Sequence, residues 1–253
     1  MLPIHELTKE DMAPIKLIVF DVDGVLVPRG TKIKQDGNVL TIETKQIAQK
    51  QIDQIMELCH LGFYINIASG RSLSMLMEMF RPILDYVSLT FENGSASWAG
   101  GAIIQHVNSY KYLGYLHQEL SMVKHPNIKG FEPKEHIITL HATDRIPEVD
   151  AMSTELMKRR VYSIWNGEAY DFGVIHDQTK AIGVGAVMEV LKVRKQNVLA
   201  IGDNLNDKEM LSMAGISVTA DKSRVEGNFW IPLEGIHLPA DVLMQQIIQV
   251  MND

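Results

Sequence analysis

The sequence has little cysteine, no excess of positive charge and no long apolar run, and each shortage excludes a class of protein. A single cysteine, Cys59, excludes an internal disulfide and a thiolate zinc cluster, and it falls on the apolar stripe of an expected helix. The net charge of −7 argues against a protein that binds nucleic-acid backbones. No apolar run approaches the roughly 20 residues of a membrane span, and the first residues show no leader pattern. We therefore expect a cytoplasmic protein without membrane or nucleic-acid partners.

Short apolar runs alternate with helical patterns along much of the chain. Each run is followed by polar or small residues and then by a segment of helical period, as in strands that are buried on both faces of a parallel sheet. The runs are LIVF (17–20), FYINIA (63–68), NVLAI (197–201) and ISVT (216–219). We expect helices from Glu43 to His60, over LSMLMEMF, over KEMLSMA and in the tail ADVLMQQIIQVM. This order predicts an α/β fold with a Rossmann-like, doubly wound parallel sheet.

The alternation of apolar runs and helical patterns stops between Phe91 and about His176, where hairpin-like pieces are interrupted by proline and glycine. We expect an inserted α+β cap domain at 93–176, and a core formed by 1–92 and 177–253. A further hairpin around Asp36-Gly37 follows the first strand, since a two-residue turn with positive φ favours Asp-Gly. Four side chains of the insertion are candidates for contact with a substrate, although a structural role is the commoner reading: His141, Trp165, Tyr170 and His176.

Aspartates gather at the expected strand ends. Asp21 and Asp23 follow the first run, and Asp203 and Asp207 follow NVLAI. Because ligands of open parallel sheets bind at the carboxyl ends of the strands, these groups should converge. Four ionised carboxylates raise each other's pKa unless a cation lies among them, and Mg²⁺ prefers such oxygen ligands.

A phosphate group beside these carboxylates needs hydrogen-bond donors and positive charge, for which Ser69 and Lys180 are the candidates. With a metal ion and a lysine present, one aspartate can attack phosphorus, and a second can donate and accept the proton. Simpler readings stay open for each residue: an Asx turn for the first aspartates, a solvated lysine at a helix start, and caps for the others.

Four motifs occur together in order: DVDGV (21–25), ASGRS around Ser69, QTKAIG around Lys180 and GDNLND (202–207). In this combination the chain resembles the haloacid dehalogenase-like superfamily of phosphatases, in the Cof-type branch with a large cap. The resemblance implies a nucleophile, an acid/base, a phosphate clamp, a set of metal ligands and a linker turn at Glu92–Gly94. The resemblance implies that Asp21 is the nucleophile and Asp23 the acid/base. The implied phosphate clamp consists of Ser69, Gly70, Lys180 and Asn206. The implied metal ligands are Asp21, Asp23 (through its carbonyl), Asp203 and Asp207, and Asp207 would also order a metal-bound water or the lysine.

The resemblance predicts a Mg²⁺-dependent phosphatase that hydrolyses a small phosphomonoester, a sugar or sugar-acid phosphate, through a phosphoaspartate. Val25 departs from the family pattern, which often has a threonine there. A homo-oligomer is left open. One alternative is a sugar phosphomutase similar to phosphomannomutases, but VIHDQTK replaces the lead-in expected before their lysine. The other alternative is a non-catalytic regulatory module that binds metal or phosphate.

Overall fold

The computed structural model describes residues 1–37, 39–43, 45–175, 179–232 and 237–252. The chain divides into two compact units. The first unit comprises Met1–Arg29, Lys45–His106 and Thr179–Asp253, and the second comprises Gly30–Thr44 and Val107–Gln178. Within the described ranges, no helix is both long and apolar enough to cross a membrane.

The elements are numbered along the chain. The strands are β1 (Leu2–Pro3), β2 (Leu17–Phe20), β3 (Lys32–Asp36), β4 (Val39–Glu43), β5 (Tyr64–Ala68), β6 (Val87–Phe91), β7 (Ala96–Ala99), β8 (Ala102–Gln105), β9 (Ile128–Glu132), β10 (Ile138–Ala142), β11 (Val161–Trp165), β12 (Ala169–Val174), β13 (Val198–Gly202), β14 (Ile216–Thr219) and β15 (Phe229–Trp230). The helices are α1 (Lys9–Met12), α2 (Gln49–His60), α3 (Leu73–Met79), α4 (Tyr110–Leu113), α5 (Leu116–Met122), α6 (Pro147–Lys158), α7 (Lys180–Leu191), α8 (Lys208–Met213) and α9 (Pro239–Asn252).

The first unit is built on one sheet with the strand order β1-β15-β14-β13-β2-β5-β6-β7-β8. Neighbouring strands from β1 to β6 are parallel, and β7 and β8 continue the sheet antiparallel. The four apolar runs predicted from the sequence form β2, β5, β13 and β14. The strand β2 lies between β13 and β5, so the segments that follow these three strands leave the sheet side by side.

Both faces of this sheet are covered, which explains why its strands read as continuous apolar runs. Ile18 and Phe20 of β2 pack into one apolar cluster with residues of α2, α3 and α9. The alternate residues, Leu17 and Val19, pack into a second cluster with residues of α7 and α8. The predicted α/β class, with a doubly wound parallel sheet, is therefore confirmed.

The second unit contains an antiparallel sheet of order β11-β12-β10-β9 and the hairpin β3–β4, in which β3 lies beside β9. Residues of α4, α5 and α6 pack on one face of the sheet with Leu140, Tyr170 and Phe172. Tyr170 is buried there against the ring of Trp165, with 4.8 Å between ring centroids, so these two side chains form core contacts. His176 lies outside the described residues.

A buried polar cluster occupies the second unit beside this core. Glu132 Oε2 lies 3.0 Å from His141 Nε2, and Lys134 Nζ lies 3.3 Å from Glu132 Oε1. Lys134 also donates to Thr139 Oγ1 at 2.8 Å. Burial would raise the pKa of Glu132, but the Lys134 charge and the His141 contact outweigh burial and lower this pKa to about 2. Glu132 is therefore held as a carboxylate.

The structure differs from the sequence-based expectations in several bounds. The helix expected from Glu43 begins at Gln49, because Glu43 pairs with Lys32 as the last residue of β4. The hairpin β3–β4 pairs Asp36 with Val39, and Asn38 lies outside the described residues. Cys59 is half-buried, and burial raises the pKa of its thiol.

Two segments group differently from the expected domain bounds. Residues 30–44, which we expected in the core, belong to the second unit, and residues 93–106, which we expected in the cap, belong to the first. The piece SWAGGAIIQHV forms β7 and β8 at the end of the large sheet. The assignment of the units to a catalytic core and a cap stays a prediction.

Candidate active site

The candidate site lies in the first unit, where three neighbouring strands end. Asp21 directly follows β2, Ser69 follows β5 and Asp203 follows β13. The backbone N–H of Asp21 donates to Ile201 O at 3.1 Å, and that of Ser69 donates to Thr90 O at 2.8 Å. The sheet pairing therefore continues into the loops and fixes the backbone of these residues.

Lys180, the first residue of α7, provides a buried cation at this edge. Its Nζ donates to Asp21 Oδ1 at 2.5 Å and to Asp207 Oδ1 at 2.6 Å. The side chains of Lys180, Asp21 and Asp207 are 1%, 6% and 0% exposed, respectively. Because the ammonium bridges two carboxylates away from bulk water, its role is more than that of a solvated lysine at a helix start.

Asp207 holds the loop after β13 through its second oxygen. Its Oδ2 accepts hydrogen bonds from the backbone N–H groups of Asp203 and Asn204, both at 3.0 Å. A Cβ at Gly202 would lie 2.5 Å from Asp207 Cβ, so a side chain at this position would displace the carboxylate. Asp207 thus links the lysine to the loop that carries Asp203.

Three carboxylates form a group that suits a metal ion. Asp21, Asp203 and Asp207 each offer an oxygen, and these atoms lie within 4.8 Å of one another. Asp203 Oδ1 is buried and has no hydrogen-bond partner among the described residues. A buried carboxylate oxygen without a partner is costly, and an all-oxygen donor set is what Mg²⁺ takes. The residues therefore fit a hard divalent cation.

The pKa values of the site residues also favour a bound cation. Burial raises the pKa of Asp21 well above its usual value, Asp207 and Asp203 add to the effect, and Lys180 opposes it. Burial also raises the pKa of Asp203, against the effect of Arg29. Burial lowers the pKa of Lys180, but Asp207 and Asp21 outweigh it and raise the value. The carboxylates therefore hold excess negative charge that a divalent cation would relieve.

Asp23 is bound by a buried arginine. Arg71 donates from Nε to Asp23 Oδ2 at 2.8 Å and from Nη2 to Asp23 Oδ1 at 2.7 Å. Such a two-point contact fixes both the position and the plane of a carboxylate. Arg71 belongs to the ASGRS motif, and the structure shows that its ion-pair partner is the predicted acid/base. Coordination of a metal by the Asp23 carbonyl stays a prediction.

The predicted phosphate residues lie around a turn whose importance the sequence did not indicate. Ser69 O accepts from the Asn93 backbone N–H at 3.1 Å, and Asn206 Nδ2 donates to Asn93 Oδ1 at 3.5 Å. A Cβ at Gly70 would lie 3.1 Å from the same Asn93 oxygen. Asn93 thus connects Ser69, Gly70 and Asn206, and their contact with a phosphate stays a prediction.

The turn itself has an uncommon backbone. Glu92, Asn93 and Gly94 have φ values of 48°, 54° and 80°, respectively. A Cβ at Gly94 would lie 1.9 Å from Thr179 O, just before the helix that carries Lys180. The expectation of a linker turn into the cap is wrong here, because the turn joins β6 to β7 within one sheet. The chain instead passes to the second unit after His106.

The sequence reasoning also missed Arg29, which binds Asp203. Arg29 Nε donates to Asp203 Oδ2 at 2.7 Å, and Nη2 donates to the same oxygen at 2.5 Å. The residue lies in the polar segment after the first motif, where no periodicity marks it. Its distance of eight residues from Asp21 gave no signal, since the contact depends on how the loop turns back.

Comparisons with known proteins identify the family of this chain. The family model of haloacid dehalogenase-like hydrolases matches residues 95–226, just over half of the chain. The phosphoglycolate phosphatase of Aeropyrum pernix is 25% identical over 212 residues, which cover 80% of each chain.

Solved structures share the fold at lower identity. A phosphatase of the haloalkanoate (HAD) superfamily from Bacteroides thetaiotaomicron has a TM-score of 0.63 and 20% identity, covering 88% of this chain and 90% of that one. A sugar phosphatase of HAD subclass IIB has a TM-score of 0.61 and 17% identity, covering 94% and 98%. The chain therefore belongs to the haloacid dehalogenase-like hydrolases, which confirms the family and the enzyme class predicted from its four motifs.

Proposed function

We propose that this enzyme is a Mg²⁺-dependent phosphatase that hydrolyses small phosphomonoesters through a phosphorylated Asp21. The observation that carries the proposal is the Lys180 ammonium bound to both Asp21 and Asp207, beside Asp203 Oδ1, which has no hydrogen-bond partner in the described part of the chain. Phosphoryl transfer to a carboxylate requires positive charge around the reacting group, because the nucleophile and the phosphate are both anionic. The site combines a fixed cation with oxygens that suit a second one.

Asp21 is the nucleophile in this mechanism. Lys180 is bound to Oδ1 of its carboxylate, which leaves Oδ2 as the oxygen that attacks phosphorus. The new bond from Oδ2 to phosphorus forms as the bond from phosphorus to the leaving oxygen breaks. The carboxyl proton of Asp23 passes to that leaving oxygen, and an alcohol departs.

Asp23 then works in the opposite direction. A water molecule attacks the phosphoaspartate, Asp23 takes up its proton, and phosphate and free Asp21 result. The two-point contact from Arg71 suits this exchange, because it fixes the orientation of the Asp23 carboxyl group. The backbone hydrogen bonds to Asp207 Oδ2 keep the Asp203 loop in place throughout.

The metal would be held by the carboxylates of Asp21 and Asp203 and by the carbonyl of Asp23, with Asp207 acting through Lys180 and the Asp203 loop. Both Asp207 oxygens already accept hydrogen bonds from Lys180 and the backbone, which favours this indirect role. When bound, Mg²⁺ supplies charge that neutralises the phosphoryl oxygens and orients them toward the nucleophile.

We further propose that the substrate is a small sugar or sugar-acid phosphate. The A. pernix relative is named for phosphoglycolate, the phosphate of a small hydroxy acid, and a structural neighbour is a sugar phosphatase. Both names support a soluble phosphorylated metabolite as the partner, and a cytoplasmic location accords with such a substrate.

The test is phosphate release from a panel of sugar phosphates and phosphorylated hydroxy acids, with Mg²⁺ or with EDTA. We expect Mg²⁺-dependent release by the wild type and by Asp53→Asn, a control at an exposed carboxylate of α2. Release by Asp21→Asn should fall to background, because an amide cannot form the phosphorylated intermediate. Phosphorylation of the wild-type chain, trapped by acid quench, should be absent in Asp21→Asn.

Other outcomes would contradict the proposal in distinguishable ways. Release that survives EDTA would contradict the metal, and release that survives Asp21→Asn would contradict the nucleophile. Transfer of phosphate to a sugar in the presence of a sugar bisphosphate, without net release, would identify a mutase. Binding of phosphate and metal without either reaction would identify a regulatory module.

A further inference from the structure

Arg29 binds one oxygen of Asp203 with two nitrogens. Nε and Nη2 lie 2.7 and 2.5 Å from Asp203 Oδ2, and Nη2 also lies 3.2 Å from the Asp203 backbone carbonyl oxygen. The Asp203 side chain is 6% exposed, so this contact lies in a largely desolvated place. Two of these hydrogen bonds go to the side-chain oxygen Oδ2 and one goes to the backbone carbonyl, so Arg29 holds both the side chain and the backbone of Asp203.

The loop backbone encloses the same oxygen from another side. Gly24 has φ +88°, and a Cβ placed on it would lie 1.8 Å from Asp203 Oδ2 and 3.0 Å from Arg29 Nε. The other oxygen, Oδ1, is buried and lacks a partner among the described residues. Among the described residues, Oδ1 therefore has no hydrogen bond that an ion would have to replace, whereas Oδ2 is bound by Arg29.

The number of oxygens that a carboxylate offers separates two common divalent ions. Mg²⁺ requires near-ideal octahedral geometry and usually takes one or two carboxylates together with water, whereas Ca²⁺ accepts six to eight oxygens and often takes a carboxylate by both. We propose that Arg29 is a positioning residue that limits Asp203 to one-oxygen coordination, and that it thereby makes the site favour Mg²⁺ over Ca²⁺. This inference rests on the metal site of the proposed function.

The ratio of the Ca²⁺ and Mg²⁺ affinities separates the effect of Arg29 on coordination from the repulsion between the Arg29 charge and the ion. Removal of the Arg29 charge strengthens the binding of any divalent cation, and because Mg²⁺ and Ca²⁺ carry the same charge, that part cancels in the ratio. Removal of the two nitrogens frees Oδ2, which adds a ligand that Ca²⁺ can use and that Mg²⁺ does not need. A change in the ratio therefore reports coordination.

The experiment is isothermal titration of the full-length, metal-free chain with MgCl₂ and with CaCl₂, without substrate. We expect the Ca²⁺-to-Mg²⁺ affinity ratio of Arg29→Met to rise about tenfold over that of the wild type. Arg29→Lys keeps the charge but loses the planar pair of nitrogens, so its ratio should rise by less. Arg81→Met, at an exposed ion pair with Glu78, is the control and should leave the ratio unchanged.

The results separate this inference from the function on which it rests. If the wild type binds Mg²⁺ and both Arg29→Met and Arg29→Lys have the same Ca²⁺-to-Mg²⁺ affinity ratio as the wild type, the inference is wrong and the metal site stands. If Mg²⁺ affinity rises in both variants without a change in ratio, Arg29 competes with the ion and does not position its ligand. If the wild type binds neither ion, the metal site and the inference both fail. Should Arg29→Met not fold, the charge-preserving Arg29→Lys decides the question alone.

Discussion

The Lys180 ammonium should make a large contribution to the stability of the metal-free protein. Its two contacts, at 2.5 and 2.6 Å, lie among side chains that are at most 6% exposed. Lys180→Met keeps the length of the side chain but leaves Asp21 and Asp207 buried without a cation. Loss of one partner of a buried ion pair costs about 3–5 kcal/mol. For a chain of this size, that loss corresponds to a melting temperature lower by roughly 6–20 °C.

The loss should also depend on pH in a defined direction. Without the ammonium, the pKa of Asp21, already raised by burial and by its acidic neighbours, rises further. A raised folded-state pKa contributes stability at low pH that is lost as the pH rises through it. We therefore expect the difference between the wild type and Lys180→Met to be larger at pH 8 than at pH 5.

The assay is urea unfolding and calorimetry in EDTA, with circular dichroism to establish that each variant is folded. Lys16→Met replaces an exposed lysine just before β2 and should change the free energy of unfolding by no more than about 0.5 kcal/mol. A folded Lys180→Met that loses less than about 1 kcal/mol at pH 8 would refute the reasoning, since the buried carboxylates would then not depend on this cation.

Two further predictions concern a buried carboxylate and a crowded glycine. The folded-state pKa of Glu132 is lowered from 4.5 to about 2, so its ionised form contributes about 3 kcal/mol to the free energy of unfolding. This contribution is complete above pH 4.5 and is lost as the pH falls toward 2. Urea unfolding of Glu132→Gln should show a correspondingly weaker acid destabilisation, and parallel profiles would contradict this. Gly94→Ala should lower the free energy of unfolding by at least about 2 kcal/mol more than Gly62→Ala, measured in the same way. Both glycines have positive φ, but a Cβ at Gly62 meets nothing within 4 Å, so equal losses would show that crowding is unimportant.

The sequence predicted the part of the site that strand ends determine. Asp21, Ser69 and Asp203 directly follow apolar runs, and the carboxyl ends of neighbouring parallel strands must meet, so their proximity follows from the pattern. Lys180 follows no strand. We expected it beside the carboxylates because a phosphate there needs positive charge, and the structure shows it bound to Asp21.

Contacts that depend on the path of a loop could not be predicted. Arg29 lies in a polar segment, and its contact with Asp203 requires the turn at Gly24 to bring the chain back to the sheet edge. Asn93 was expected in a linker turn, because the family resemblance implied one at Glu92–Gly94, and that resemblance does not indicate what the turn packs against.

Alternation along a strand also has a limit as a source of prediction. It separates the two faces of a sheet but does not say which face helices cover. Tyr170 therefore seemed able to face a cleft, whereas it packs in the apolar cluster of the second unit. In the same way, the hairpin pattern of residues 97–107 did not reveal that β7 and β8 extend the large sheet through pairing with β6.

The position of β2 at the middle of the large sheet has a consequence for synthesis on the ribosome. Leu17 pairs with Tyr64 on one side but with Val198 on the other, about 180 residues later. At about 5–20 residues per second, the growing chain exposes that edge of β2 for roughly 10 to 40 seconds. Asp21 is synthesised equally early, and Lys180 follows it only about 160 residues later. A chain that stops before α7 therefore presents an open strand edge and an acidic loop without its cation, so the fold and the site are completed together.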